Sequence, residues 1–201
     1  MSIVVVEGPI GAGKTTLARL LAERLSARLL LEVVEENPFL AAFYREKDRV
    51  AFQTETFFLL SRFRQHGELA QTGLFEQHTV ADYLFDKSLL FASLNLAGDE
   101  FELYRTLFEQ LRSKLSQPDL VVYLRADPPL LLHRIGMRDR EFERDMQAEY
   151  LARLGAAYDE YFAGSDLPLE VVEASEYDFV ARPDDRDALI ERVFNRLTVS
   201  R

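Results

Sequence analysis

The chain lacks cysteine altogether and has no apolar run near 20 residues. Without cysteine it can form neither disulfide bonds nor thiolate metal sites. The missing apolar run excludes a membrane-spanning helix. Its first residues also lack the charged and apolar segments of a signal peptide, because the apolar run there leads into a glycine-rich loop. We therefore expect a cytoplasmic protein without a membrane partner.

Positive charge is also in short supply, with 24 lysines and arginines against 34 aspartates and glutamates. The formal net charge is −10. A surface of that sign repels polyanions, so we do not expect a nucleic-acid polymer as a partner. A small nucleotide bound with a divalent cation is compatible with it, since local positive charge can outweigh the mean field.

Repeats, low-complexity tracts and linkers rich in proline, glycine or serine are absent as well. The length of 201 residues suits one domain with a sizeable core. With 48% hydrophobic and 29% charged residues the composition is that of a globular protein. We predict a single domain over residues 1–201.

Short apolar runs, typical of buried strands, alternate with segments of helical periodicity. The predicted strands are Ile3–Val6, Leu29–Val34, a part of residues 72–83 after a turn at Gly73, Pro118–Ala126 and residues 168–175. The predicted helices are Thr15–Leu31, one starting at Asn37 and Pro38, Arg49–Ala70, Phe85–Ala97, Glu100–Leu115, Pro128–Met137, Glu149–Phe162 and Asp184–Leu197. This alternation predicts an α/β fold with three α/β/α layers around a parallel sheet of about five strands.

The segment GPIGAGKT, Gly8–Thr15, fits the phosphate-loop pattern between a predicted strand and a predicted helix. Glycine permits the backbone to curl its amides around an anion, and the following helix adds positive potential there. Lys14 is predicted to reach the β and γ phosphates and Thr15 to bind Mg²⁺. The predicted ATP-binding residues here are Gly8, Pro9, Ile10, Gly11, Ala12, Gly13, Lys14, Thr15 and Thr16.

A phosphate loop alone does not say what the nucleotide is used for. The chain has no guanine-reading NKxD motif, which argues against a GTPase. After the strand Pro118–Ala126 only Asp127 follows, where a motor ATPase would have a strand ending in an acid. These observations favour a small-molecule kinase.

An arginine-rich segment, HRIGMRDREFERD, predicts a lid over about residues 134–146. Arg134 and Arg138 lie four residues apart, on one helical face, and Arg140 and Arg144 follow. Guanidinium groups stabilise the charge that spreads over the oxygens of a transferring phosphoryl group. The alternative is a solvated helix whose arginines pair with the acids of the same segment.

Five ordered blocks together resemble the deoxyribonucleoside kinase family, in particular its bacterial deoxyadenosine and deoxyguanosine kinases. The blocks are GPIGAGKTT, EVVEENPFLAAFY, FQTETFFLLSRFRQ, FASLNL and VVYLRADPPLLLHRIGMRDR, and they span nearly the whole chain. The resemblance implies a P-loop kinase, active as a homodimer, that phosphorylates the 5′-hydroxyl of a deoxyribonucleoside with ATP and Mg²⁺.

The resemblance also implies catalytic roles. Glu32 matches the carboxylate that accepts the proton of the 5′-hydroxyl, a role that suits an acid beside a phosphate loop. The family usually has Glu-Pro-Val where this chain has Glu-Val-Val, so Glu35 and Glu36 stay as rivals. Lys14, Arg138 and Arg140 are the other predicted catalytic residues, and Arg134 and Arg138 are predicted to bind ATP.

Sugar and base contacts follow from the same resemblance. Tyr44 and Glu143 match residues at the sugar 3′-hydroxyl. Glu55 and Arg62 lie seven residues apart on one face of an aromatic-rich helix, where buried polar groups need partners. A nucleobase edge or a structural salt bridge would satisfy them, and glutamate stands where the family often has glutamine. Phe91, Phe52 and Phe58 are predicted to stack on the base or to pack in the core.

The metal-binding acid of the third strand has two possible frames. Glu76 with His78 is one, and Asp82 is the other, favoured by counting back from the FASLNL block. The arginine that follows this acid in the family is missing, and Lys87 would replace its charge. His78 is interpreted as a hydrogen-bonded strand residue. We predict Thr15 and Asp82 as the Mg²⁺ residues.

Residues 173–179 lie at and beyond the end of the last predicted strand, where kinases of this type hold adenine. Two other functions remain open at this point. A nucleoside monophosphate kinase such as thymidylate kinase would need a basic clamp, which Arg62 and Lys87 could supply. A regulatory subunit would bind ATP without turnover.

Overall fold

The computed structural model describes residues 2–71, 78–138, 140, 143 and 146–199. Five parallel strands form one sheet in the order β2-β3-β1-β4-β5. The strands are β1 (Ser2–Glu7), β2 (Arg28–Leu30), β3 (His78–Ala81), β4 (Leu120–Arg125) and β5 (Leu169–Glu173). In the centre of the sheet Val4 of β1 is in register with Val80 of β3, and Val5 with Val121 of β4.

The described residues also form eight α-helices, seven between the strands and one after the last strand. They are α1 (Lys14–Leu25), α2 (Leu40–Arg45), α3 (Lys47–Gln71), α4 (Lys87–Asn95), α5 (Gly98–Arg112), α6 (Pro128–Arg138), α7 (Ala148–Ala163) and α8 (Pro183–Val199). None of the described helices combines the length and the apolar character needed to cross a membrane.

The sheet is covered on both faces, which confirms the predicted three-layer α/β/α architecture. Val4 and Val6 point to one face, where they join a core formed with α1, α6 and α8. Val5 points to the other face, against α4 and α7. This opposition follows from the alternation of side chains along a strand.

A third core cluster holds α3, α4 and α5 together beside the sheet. Leu59, Phe85, Tyr104 and Phe108 are buried in it, and the Phe85 and Phe108 rings stack at a centroid distance of 5.4 Å. Phe52 packs against this cluster. The cluster fixes α3 and α4 next to the carboxyl ends of the strands.

Two predicted bounds near β2 are wrong. The first helix ends at Leu25 and not at Leu31, because Ser26 takes a left-handed conformation with φ of 49° and donates its N–H to the carbonyls of Ala22 and Glu23. Such a residue terminates a helix. The strand that follows is Arg28–Leu30 and not Leu29–Val34, since β2 is an edge strand that pairs only with β3 in the described sheet.

The helix predicted at Asn37 begins at Leu40 instead. The Asn37 side chain accepts a hydrogen bond from the Phe39 N–H at 3.0 Å and donates one to the Thr54 carbonyl at 3.1 Å. It therefore stabilises a turn and ties that turn to α3. The turn predicted at Gly73 lies outside the described residues.

Candidate active site

One cleft of about 1170 Å³ opens where the carboxyl ends of β1, β2 and β3 meet. Its walls come from the loop Gly8–Thr15, the segment after β2, helices α2, α3, α4 and α6, and residues 174–182. In open parallel α/β sheets this edge is where ligands bind.

The glycines of the phosphate loop are required by backbone geometry. Gly11 has φ of 87° and Gly13 has φ of 101°, values that residues with a side chain rarely adopt. A β-carbon on Gly11 would lie 2.9 Å from the Leu131 carbonyl oxygen, and one on Gly13 would lie 2.9 Å from Cζ of Phe179. The loop is thus closely packed between α6 and the segment after β5.

Lys14 lies at the start of α1 and folds back over the loop. Its Nζ donates hydrogen bonds to the carbonyls of Gly8 at 2.8 Å and Pro9 at 3.0 Å. Burial, followed by repulsion from Lys87, lowers the pKa of Lys14 to about 8. Glu7, Glu32 and Asp82 oppose this shift only in part, and a phosphate group would add the negative charge that favours the ammonium form.

Thr15 and Asp82 lie together although 67 positions separate them in the chain. The Thr15 hydroxyl donates to Asp82 Oδ2 at 2.6 Å, and the Glu32 N–H donates to Asp82 Oδ1 at 2.7 Å. A hydroxyl and a carboxylate at a phosphate loop are oxygen ligands of the kind that Mg²⁺ takes alongside nucleotide phosphates. The residues present therefore fit Mg²⁺.

Glu32 is the centre of a buried ionic cluster. Its Oε1 accepts from Arg62 Nε at 2.9 Å and Nη2 at 2.5 Å, and its Oε2 accepts from Lys87 Nζ at 2.7 Å. Burial raises the pKa of Glu32, but Lys87 and Arg62 outweigh burial and hold it well below the ordinary value. Glu32 is therefore ionised at neutral pH.

Arg62 and Glu55, predicted to share a helix face, have different partners. Arg62 binds Glu32 and also donates Nη1 to the Ser88 hydroxyl at 2.7 Å. Glu55 is 3% exposed and accepts a hydrogen bond from Asn95. Burial raises the pKa of Glu55 to about 7. Both residues line the cleft.

The lid arginines pair with nearby acids. Arg138, the last residue of α6, binds both carboxylate oxygens of Glu143 at 2.9 and 2.7 Å. Arg140 binds Glu35 at 2.8 Å and approaches Glu143 at 3.6 Å. Arg134 instead donates to main-chain carbonyls at the phosphate loop and after β5. Arg144 lies outside the described residues.

The aromatic residues divide between the cleft and the core. Tyr44, Phe58 and Phe91 line the cleft. Lys87 Nζ lies 5.2 Å from the Phe91 ring centroid, and the Arg62 guanidinium lies 5.2 Å from that of Phe58. Phe52 packs against the α3–α5 cluster, as the core interpretation predicted.

The rivals of the predicted acids lie elsewhere. The Glu35 side chain is 64% exposed and reaches Arg140, and Glu36 is exposed. Glu76 lies outside the described residues, and His78 begins β3. Ala174, Ser175, Tyr177 and Phe179, in the segment predicted to hold adenine, all line the cleft.

Sequence reasoning missed Glu7, a fully buried acid at the end of β1. It accepts hydrogen bonds from the Gly8 N–H at 2.8 Å, the Leu84 N–H at 2.7 Å and the Tyr158 hydroxyl at 2.9 Å. Glu7 thereby joins the phosphate loop to the segment between β3 and α4, which carries Asp82 and leads into Lys87. The sequence pattern that could have indicated Glu7 is an acid directly after an apolar run. Ser88 and Asn95, also missed, carried no such signal.

Comparison with known proteins shows to which protein family the chain belongs. The family model described as deoxynucleoside kinase matches residues 4–199. The chain is 34% identical to deoxyguanosine kinase of Bacillus subtilis over 196 residues, 94% of this chain and 95% of that protein. It is 33% identical to deoxyadenosine kinase of Dictyostelium discoideum, over 88% of this chain and 73% of that protein. A solved structure of deoxyadenosine kinase from M. mycoides with bound dCTP superposes with a TM-score of 0.80 at 25% identity, covering 98% of this chain and 99% of that one.

Proposed function

The chain belongs to the deoxynucleoside kinase family and is a deoxynucleoside kinase, and we propose which reaction it performs. It transfers the γ-phosphoryl group of MgATP to the 5′-hydroxyl of a purine deoxyribonucleoside, for nucleotide salvage. The observation that carries this proposal is the position of Glu32. Its main-chain N–H binds Asp82, which binds Thr15 of the phosphate loop, so an ionised acid lies beside the predicted γ-phosphate position.

Glu32 accepts the hydrogen bond of the 5′-hydroxyl and orients its oxygen toward phosphorus. A carboxylate with a lowered pKa is a weak base for a free alcohol. The transferring phosphoryl group, however, withdraws charge from that oxygen as the bond forms, and the proton then passes to Glu32. Lys87 and Arg62 keep Glu32 ionised before substrate binds.

The cations of the site hold the phosphoryl group. Lys14 is placed at the β and γ phosphates and gives up its bonds to the Gly8 and Pro9 carbonyls to reach them. Arg134, Arg138 and Arg140 of the lid donate to the phosphate oxygens. Arg138 and Arg140 leave Glu143 and Glu35 to do so, which supplies a reason for lid movement on ATP binding.

Thr15 and Asp82 would hold Mg²⁺, which supplies charge neutralisation at the β and γ phosphates when bound. In the structure the Thr15 hydroxyl donates a hydrogen bond to Asp82. That bond keeps both oxygens at the carboxyl ends of β1 and β3.

Asp82→Asn is expected to raise the Mg²⁺ concentration that gives half-maximal rate by about 10–100-fold, because an amide is a poorer metal ligand than a carboxylate. The measurement is a Mg²⁺ titration of ADP release at saturating ATP and deoxynucleoside. Asp86→Asn is the matched control, since Asp86 lies four residues on and pairs with Arg112 outside the cleft. Equal Mg²⁺ requirements for the two variants would contradict the assignment.

The nucleoside is held by the other wall of the cleft. Tyr44 and Glu143 are proposed at the sugar 3′-hydroxyl, and Glu55, Arg62 and Phe91 at the base. Hydrogen bonds to Glu32 and Ser88 hold the Arg62 guanidinium in place beside the base.

Two observations argue against a nucleoside monophosphate as acceptor. The family match is to deoxynucleoside kinases. The residues considered for a phosphate clamp, Arg62 and Lys87, both bind Glu32, which neutralises part of their charge.

We include in the proposal a single domain, a cytoplasmic location and a homodimer. Leu60 of α3 and Leu103 and Leu107 of α5 are 54%, 53% and 38% exposed, and such apolar residues on neighbouring helices suit an interface between two copies. Light scattering coupled to size-exclusion chromatography measures the mass directly, and a monomer would remove the dimer from the proposal.

The deciding experiment measures ATP-dependent turnover of the four deoxynucleosides and of deoxyadenosine monophosphate. We expect the highest kcat/KM with deoxyguanosine or deoxyadenosine, because the relatives are named for these substrates. Preference for the monophosphate, or ATP binding without phosphorylation of any acceptor, would overturn the proposed function.

A further inference from the structure

A buried acid and a buried amide lie side by side in the wall of the cleft. Asn95 of α4 donates Nδ2 to Glu55 Oε1 of α3 at 2.6 Å. The Asn95 amide also has a side-chain hydrogen bond with the Tyr150 hydroxyl, whereas its Oδ1 is buried and no described residue meets hydrogen-bond geometry with it. Both side chains line the cleft, together with Tyr150 of α7. Because buried polar atoms normally have partners, a ligand in the cleft is the expected donor to Oδ1.

The ionised form of Glu55 determines which way the amide points. A carboxylate only accepts hydrogen bonds, so Asn95 must turn its NH₂ group toward it. The amide oxygen then remains as an acceptor for a ligand, next to the second carboxylate oxygen of Glu55. With Glu55 ionised, the pair therefore offers two acceptors.

Protonation of Glu55 removes that constraint. A neutral carboxyl group has an O–H that can donate to Asn95 Oδ1, and the amide can rotate by half a turn to receive it. The separation of 2.6 Å between the two side chains is typical of an O–H···O hydrogen bond. Asn95 then presents its NH₂ group to a ligand, so the pair offers one donor and one acceptor.

The two forms match the edges of different purines. Guanine has adjacent donors at N1–H and N2–H₂, whereas adenine has a donor at N6–H₂ beside an acceptor at N1. We propose that Glu55 and Asn95 are a base-reading pair that selects deoxyguanosine when Glu55 is ionised and deoxyadenosine when it is protonated. This inference rests on the proposed function and specifies its substrate.

Glu55 changes between its protonated and ionised forms near neutral pH. Burial raises the pKa of Glu55 to about 7, against the opposing effects of the Asn95 hydrogen bond and of Arg62 and Lys87. The pair thus shifts from the protonated toward the ionised form as the pH rises from 6 to 8.

Other ionisable groups act on Glu55 from every neighbouring element. They are Glu32 after β2, Tyr44 of α2, Lys47 and Arg62 of α3, Lys87 of α4, Tyr104 of α5 and Tyr150 of α7. Burial raises the pKa of each of the three tyrosines. The pKa of Glu32 lies well below its ordinary value. Near pH 7 the three tyrosines therefore stay neutral and Glu32 stays ionised.

The test is the ratio of kcat/KM for deoxyguanosine to that for deoxyadenosine, measured between pH 6 and pH 8. Titrations that affect both substrates equally, such as that of Lys14, cancel in the ratio. We expect the ratio to rise about tenfold or more, since one well-placed base contact discriminates by roughly that factor. A ratio that does not change with pH, in an enzyme that phosphorylates both nucleosides, overturns this inference and leaves the proposed function intact.

Two further measurements separate the parts of the pair. Glu55→Gln cannot ionise and should give a ratio independent of pH, whereas Asp48→Asn removes an exposed acid of the same helix and should keep the native dependence. Deoxyinosine lacks the N2 donor, so at pH 8 its kcat/KM should be about tenfold below that of deoxyguanosine. Equal values for these two nucleosides would contradict a second acceptor, and this measurement needs no variant.

Discussion

Replacement of Lys14 by alanine is expected to lower kcat by about 10³-fold with little change in the affinity for the deoxynucleoside. A positioned cation at the transferring phosphoryl group stabilises charge that develops in the transition state, and the loss of one such donor typically costs about 10²–10³ in rate. The lysine is buried and bonded only to main-chain carbonyls of its own loop among the hydrogen bonds described. We therefore expect the variant to be at least as stable as the native protein, because a buried ammonium is costly to keep.

Steady-state kinetics and thermal unfolding together check this prediction. Lys114→Ala is the control, since Lys114 is exposed, follows the end of α5 and does not line the cleft, so this variant should keep the native kcat. In the native enzyme, kcat/KM for ATP should fall as the pH rises above about 8, because the lowered pKa of Lys14 removes its positive charge there. A variant that retains native turnover would show that Lys14 does not contact the transferred group.

Glu32→Gln is expected to reduce kcat by about 10²–10⁴-fold, the range that general-base groups contribute. The same change should also lower stability. Arg62 and Lys87 are 3% and 6% exposed, and glutamine leaves them without their shared counter-charge. Removing one partner of a buried ion pair typically costs about 3–5 kcal/mol.

The two effects of Glu32→Gln are separated by normalising activity to folded protein at a temperature well below the unfolding midpoint. Glu35→Gln serves as the control, because Glu35 carries the same charge on the same segment but is largely exposed and binds the lid residue Arg140. If Glu35→Gln or Glu36→Gln lost as much turnover as Glu32→Gln, the base would be misassigned.

The phosphate loop and the fold class were predictable because they depend on local patterns. The loop conformation of the GPIGAGKT segment depends only on consecutive residues. Runs of β-branched residues and helical spacing likewise indicate which residues of a single strand or helix are buried. Element bounds were less predictable where a single conformation decided them. The left-handed Ser26 ends α1 at Leu25, six residues before the predicted end at Leu31.

The partners of the buried site residues were not predictable in the same way. Arg62 and Glu55 were predicted to share a helix face, with a nucleobase or a salt bridge as partner, but which residues they bind was not predictable. Arg62 binds Glu32, and Glu55 binds Asn95, 40 positions away. Nothing in the pattern around Ser88 or Asn95 distinguishes them from ordinary helix residues. Their roles arise from the packing of α3 against α4.

By itself, the sequence determined a parallel α/β sheet, a glycine loop shaped for nucleotide phosphates and a set of acids near the strand ends. Only the tertiary structure decided that Glu32 is held ionised by Arg62 and Lys87, that Asp82 meets Thr15, and that Asn95 keeps an amide oxygen without a described partner. The physical reason is that the conformational preference of the backbone and the spacing of buried residues depend on neighbours in the sequence. The charge and hydrogen bonding of a buried side chain depend on which distant segments are packed against it.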